Sequence, residues 1–267
     1  MRSELKIEAK KLLVGNTARL FFVSLLSFIV KSLILSGNIF MFYYVLKNNT
    51  KYYLLIIAVL AFIVGFMIIS ALMLGEKFIY YIRAGGSRGR FLLLFKFFRL
   101  NEIFKAAVFN MYILFFKAIW LIYFLLPFII SSALTFYLYK RDITDSFSLP
   151  FCIAICGIML GVGMFCFICA VQRFSAAFFY YMTDDKRRIK RAVKKSITQT
   201  DGFLVVSALS QCSFSGWLLS CFSVFPLVYV VPYFKLFNVL LIVNAVESRV
   251  RSRKKYPIRF TTYKSTP

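Results

Sequence analysis

The sequence predicts an all-α, polytopic membrane protein with six transmembrane helices, both termini cytoplasmic, and amphipathic helices at the interface. Three observations carry this. Hydrophobic residues make up 61% of the 267 residues, charged residues 16%, and the mean hydropathy is +0.77, whereas a soluble domain is about half apolar and about one quarter charged. The apolar residues come in runs that reach or exceed the roughly 20 needed to cross a bilayer. Lys and Arg, finally, fall in blocks between those runs, where orientation signals belong.

The opening MRSELKIEAKKLLVGN lacks a short apolar region followed by a small-residue cleavage site, so the first apolar run is expected to stay as an anchor. Leu5, Ala9, Leu12 and Leu13 recur at helical spacing with Lys6 and Lys10 off that face, which predicts a short helix on the membrane surface. Spans are expected at 20–46 and 52–75, joined by the polar turn KNNTK into a helical hairpin. Residues 76–117 mix Arg88, Arg90, Lys96 and Arg99 with Phe and Leu, and predict a cytoplasmic helix resting in the headgroups.

A third span is expected over 118–139, with Pro127 inside it; a start near Ala106 would instead put Lys117 deep within the helix. The fourth, 150–182, is longer than a bilayer needs and should tilt or project. Residues 203–246 carry Lys235 as the only ionised side chain before Glu247, which fits spans at 203–223 and 226–246 around a tight turn. Residues 1–246 thus form a single integral membrane domain, followed by a basic tail, 247–267, expected to be disordered.

With the N-terminus inside, the cytoplasmic segments 1–16, 76–105, 183–202 and 247–267 hold 25 of the 34 Lys and Arg, and the outer turns 47–51 and 140–149 hold four. The positive-inside rule selects this orientation. The net charge of +24 is therefore a topological signal, and no nucleic-acid partner is expected. In TDDKRRIKRAVKKSITQTDG, residues 183–202, the residues Ile189, Ala192, Val193 and Ile197 share a helical face. Lys186, Arg187, Arg188, Lys190, Arg191, Lys194 and Lys195 surround it, with Asp184 and Asp185 near the helix start, where the dipole favours anions. The pattern predicts a surface helix attracted to anionic lipid.

From Phe174 to Val246 the sequence resembles the C-terminal half of an uncharacterised family of multi-pass integral membrane proteins found mainly in Firmicutes. The landmarks are Ser196 six residues ahead of Gly202, then Ser213-Phe214, Trp217-Leu218-Leu219, Pro226 and Pro232-Tyr233. Ser215 and Gly216 stand between the Phe and the Trp, a departure from the family pattern. The resemblance implies a helical membrane domain in a bacterial plasma membrane and brings no activity with it.

Chemistry is constrained mainly by what is missing. The chain has no His, which excludes histidine-based triads and two-His zinc sites. None of the ten carboxylates (Glu4, Glu8, Glu76, Glu102, Asp142, Asp145, Asp184, Asp185, Asp201 and Glu247) falls within an expected span. That counts against a proton- or cation-coupled carrier, since such proteins place acids at membrane depth. All six cysteines, including Cys166-x-x-Cys169, lie in spans and read as packing residues. AGGSRGR, residues 84–90, lacks the Gly-Lys-Ser/Thr ending of a phosphate loop. Gly157 and Gly161 form a GxxxG that would let two helices pack backbone to backbone. No cofactor or metal is expected.

Lys31, near the middle of the first span, is the outstanding membrane-depth charge; Lys117, Arg173 and Lys235 are expected to snorkel. The polar company available to Lys31 is Asn110, Gln211, Asn238 and Asn244, with no acidic counter-ion in any span. The sequence thus points to a non-enzymatic scaffold or accessory component of a membrane complex, contacting anionic lipid and other membrane proteins. The competing reading is a small permease or exporter subunit for a lipid or anionic solute, with Lys31 in its pathway.

Overall fold

The computed structural model describes residues 2–47, 52–87, 90–140, 148–184, 187–200, 204–213 and 224–253. Every regular element among them is helical. In chain order they are α1 (Arg2–Leu13), α2 (Thr17–Lys47), α3 (Tyr52–Ala84), a 3-10 segment (Phe91–Phe98), α4 (Leu100–Lys140), α5 (Ser148–Val171), a short 3-10 turn (Gln172–Phe174), α6 (Ala177–Thr183), α7 (Ile189–Thr200), α8 (Leu204–Cys212) and α9 (Val224–Arg253). Five stretches are long and apolar enough to cross a membrane: Thr17–Lys47, Tyr53–Ala84, Leu100–Lys140, Leu149–Thr183 and Val228–Val246. The protein is thus built as a multi-pass membrane protein. Of the fifth expected span, 203–223, only Leu204–Cys212 and Ser213 fall within the described residues.

The domain expected over 1–246 is built from two compact units. One comprises residues 1–110 and 210–267, the other residues 111–209. In the first, α2 and α3 pair as the predicted hairpin, and α9 packs against α1, α2 and α3. The apolar face of α1 is spent on protein: Leu5, Ala9 and Leu13 are buried, and Tyr233 donates to the Lys6 carbonyl at 3.4 Å. The surface-helix expectation for this segment is corrected accordingly, because α9 supplies the apolar partner that lipid was expected to supply.

Residues 91–98 form a 3-10 segment packed on α3. Three residues per turn align Leu94 with Phe97, and both are buried, with Phe97 edge-on to Phe78 at 6.1 Å. Gly75 is what admits this segment, since a Cβ there would collide with the Leu94 backbone. Phe91, Leu92 and Phe95 remain exposed, so only part of the strip predicted to rest in the headgroups is open to them. Leu100 then begins a helix of 41 residues that runs unbroken through Pro127. The third span therefore starts eighteen residues earlier than hydropathy placed it, and Lys117 sits within it.

In the second unit the long run 150–182 is interrupted. α5 ends at Val171, a 3-10 turn covers Gln172–Phe174, and α6 resumes at Ala177. This break explains the excess length that tilt or projection was expected to absorb. Of the basic tail expected to be disordered, residues 247–253 continue α9, and residues 254–267 lie outside the described residues.

Candidate functional site

The hairpin brings together a cluster of charge. On α2, Ser24, Ser27 and Lys31 fall at i, i+3 and i+7, one face of a helix. On α3, Glu76 and Tyr80 are four apart, and α9 contributes Lys235. The pairs Ser24–Tyr80 and Lys31–Glu76 run in opposite directions along the two helices. Side chains on a helix lean toward its N-terminus, so Lys31 leans back along α2 while Glu76 leans the other way to meet it.

Glu76 is the hub. Its Oε2 accepts from Ser27 Oγ at 2.9 Å and from Lys31 Nζ at 2.9 Å. Its Oε1 accepts from Ser24 Oγ at 3.2 Å and from Lys235 Nζ. Lys235 also donates to Ser24 Oγ at 3.1 Å and lies 6.0 Å from the Tyr80 ring centroid. The Tyr80 hydroxyl is 2.8 Å from Ser24 Oγ and donates to the Leu20 carbonyl at 3.3 Å. Four donors fill the four lone-pair sites of a carboxylate. Burying such a group unpaired would cost several kcal/mol, on the order of 3–5 once a partner is removed. Here the pairing is complete on the acid: its side chain is 10% exposed, against 24% for Lys31 and 37% for Lys235.

This corrects the expectation that no carboxylate falls within a span, since Glu76 lies inside the apolar stretch Tyr53–Ala84. Hydropathy ends the second span at residue 75 because Glu76 and Lys77 follow. Nothing breaks the helix there, however, and α3 continues to Ala84, just before Gly85 and Gly86. The matching spacings, Ser24-Ser27-Lys31 and Glu76-Tyr80, were the signal in the sequence. Lys235 likewise belongs to the cluster and does not merely snorkel.

The polar company foreseen for Lys31 is placed elsewhere. Asn110 donates to the Ser70 carbonyl of α3 at 3.2 Å. Asn238 has a buried Oδ1 with no hydrogen-bond partner among the described residues, Asn244 is half-buried, and the side chain of Gln211 lies outside the described residues. In the second unit Gly157 and Gly161 face open space. Gly163 makes the close approach instead, since its Cβ would stand 2.5 Å from the Phe124 carbonyl oxygen. The helix-packing role assigned to the GxxxG therefore moves to Gly163.

The basic segment forms α7 with the predicted face, but that face meets protein. Ala192 and Val193 are buried, and the helix packs on α6 and on the 3-10 turn. The interruption of the α-helix after Val171 leaves carbonyls without helical partners. Ser196 and Thr200, four apart on α7, donate to the Arg173 carbonyl at 2.5 and 3.3 Å. Tyr180 donates to Gln199 Oε1, and Ser207 to Gln172 Oε1 at 3.1 Å. Asp184 meets the helix start as predicted, its Oδ2 accepting from the Arg188 amide at 3.1 Å. Arg188, Lys190, Arg191, Lys194 and Lys195 are exposed and Arg187 is half-buried, whereas Lys186 lies outside the described residues. The helix thus holds its cations outward on a docked base, a correction to the picture of an apolar face dipped in lipid.

A cavity of about 610 Å³ opens in the first unit where α1 turns into α2, lined by Asn16, Arg19, Arg83 and Gly86 among others. Arg83 donates twice to the Leu12 carbonyl, from Nε at 2.9 Å and from one Nη at 2.6 Å, which satisfies the exposed end of α1. Lys31 and the Asn residues proposed for a permeation path do not line this cavity. Comparison of the chain with protein-family models, with curated proteins and with solved structures finds no match.

Proposed function

We propose that this protein is a non-enzymatic scaffold or accessory component of a bacterial plasma-membrane complex, held against anionic lipid by its basic cytoplasmic face. The observation that carries the reading is α7. Its apolar residues are engaged by α6 and the 3-10 turn, while Arg188, Lys190, Arg191, Lys194 and Lys195 point outward. With Ala192 and Val193 buried and Ile189 and Ile197 half-buried, such a helix has little apolar face left to insert and acts mainly by charge, at about 1 kcal/mol per Lys or Arg near an anionic surface. The depth charges favour the same reading over a permease. Glu76 ties three helices together with all its acceptor sites filled, which suits a fixed joint better than an ion-releasing site.

The test is extraction of the full chain from bacterial membranes in polymer-bounded discs, with the co-purified lipids quantified. Anionic lipid should be enriched over the bulk membrane. The joint substitution Lys190→Gln, Arg191→Gln, Lys194→Gln and Lys195→Gln should abolish the enrichment. A lipid composition equal to bulk for the unaltered chain would sink the proposal. The permease reading predicts instead that reconstituted protein accelerates flux of a lipid or anion and that Lys31→Leu stops it.

A further inference from the structure

The Glu76 cluster is not electrically balanced. With its three groups ionised it carries two ammonium charges and one carboxylate, one net positive charge at membrane depth. Lys31 is where the imbalance is felt. Its ammonium has three N–H donors, and among the described residues Glu76 Oε2 is its one hydrogen-bond partner. Lys235 is better served, by Glu76, Ser24 and the Tyr80 ring. Lys31 also keeps 24% of its side chain accessible at the surface of the protein. In hydrocarbon an unmet donor is costly, so a further acceptor beside Lys31 would stabilise it.

We infer that Lys31 marks a docking point for a carboxylate on the membrane-spanning helix of a different protein. Three considerations select this occupant. The cluster lies about 10–15 Å inside the level of Thr17, at ~1.5 Å per residue from Ser24 to Ser27. With the 31-residue α2 centred on a ~30 Å hydrocarbon core, that level falls just inside the hydrocarbon edge, below the lipid phosphates. A second copy of this chain fails on charge. Its other nine carboxylates lie at or beyond the ends of the apolar runs, so it would bring a second positive cluster and no free acid. A helix with one Asp or Glu in its cytoplasmic half supplies both the missing charge and the apolar surface to follow α2, whose Phe28 and Leu35, three residues before and four after Lys31, are exposed on the same face. The inference rests on the reading of the protein as part of a complex and adds what the partner must carry.

The test uses the full chain, donor-labelled, in proteoliposomes with acceptor-labelled synthetic Leu/Ala helices. One helix carries a single Glu in its cytoplasmic half, one carries that Glu in its outer half, and one has Leu there. Energy transfer should show the first associating about tenfold more tightly than the other two, in line with polar contacts between membrane helices. The preference should vanish for Lys31→Leu and survive Lys31→Arg. Equal association of the Glu and Leu helices would overturn the inference, as would a preference that persists in Lys31→Leu. If Lys31→Leu does not fold, the three-helix comparison on the unaltered chain decides alone. Failure here with anionic-lipid enrichment intact removes only the partner inference, and the converse outcome removes only the lipid reading.

Discussion

Glu76→Gln is the sharpest perturbation of this structure, because it changes one charge and almost no volume. The carboxylate accepts from Ser24, Ser27, Lys31 and Lys235. The amide keeps one acceptor oxygen and turns an NH2 toward donors, so at least two of the four hydrogen bonds are lost. Two ammonium groups are then left facing each other across α2 and α9 without a counter-ion. Removing one partner of a buried pair costs about 3–5 kcal/mol. Both lysines retain some exposure, 24% and 37%, which lets them relax and places the expected loss near ~3 kcal/mol. That corresponds to roughly a hundredfold shift in the unfolding equilibrium. Reversible unfolding in mixed micelles measures it directly. The rescue is equally informative: Glu76→Gln combined with Lys235→Met removes the repulsion and should recover most of the loss. Replacing Glu76, Lys31 and Lys235 together by Leu or Met should be near neutral, as apolar isosteres often are for buried ion pairs. A Glu76→Gln protein within about 0.5 kcal/mol of the parent, the range of an ordinary surface change, would refute the claim that the cluster ties the three helices together.

Three further outcomes follow from particular contacts. Gly163→Ala should destabilise by about 1–3 kcal/mol because its Cβ meets the Phe124 backbone. Gly157→Ala and Gly161→Ala, which meet open space, should be neutral or gain up to ~1 kcal/mol of helix propensity; the same unfolding assay compares all three. Arg83→Met removes both hydrogen bonds to the Leu12 carbonyl. At about 1.5 kcal/mol for a charge-assisted bond that water can partly replace, amide exchange over residues 2–16 should speed about tenfold with little change elsewhere. For topology, a lone cysteine introduced as Lys190→Cys in a cysteine-free background should resist a membrane-impermeant maleimide in intact cells. One introduced as Thr50→Cys should react, and the reverse pattern would invert the orientation read from the charges.

Much of the architecture was legible because bilayer thickness and hydrophobic periodicity act on local sequence. The hairpin of α2 and α3, the apolar face of α7 at Ala192 and Val193, and the acidic helix start at Asp184 were all read from spacing alone. Two errors share one cause: hydropathy treats a charge as the end of a span. Glu76 was read as a boundary although α3 runs on to Ala84, and Lys117 was set at an interface although α4 begins at Leu100. The apolar faces of α1 and α7 were assigned to lipid, since a sequence shows that a face must be covered but not by what.

By itself, then, the sequence determined the class of the protein and its expected orientation, since a run of apolar residues must leave water and blocks of Lys and Arg resist crossing. It also marked Lys31 as a charge in need of company. Only the tertiary structure decided which company. The partner, Glu76, comes from 45 positions away along the chain and is shared with Lys235, 204 positions from Lys31. The energy of a charge at membrane depth depends on what stands within about 3 Å of it, and distance in space is set by packing.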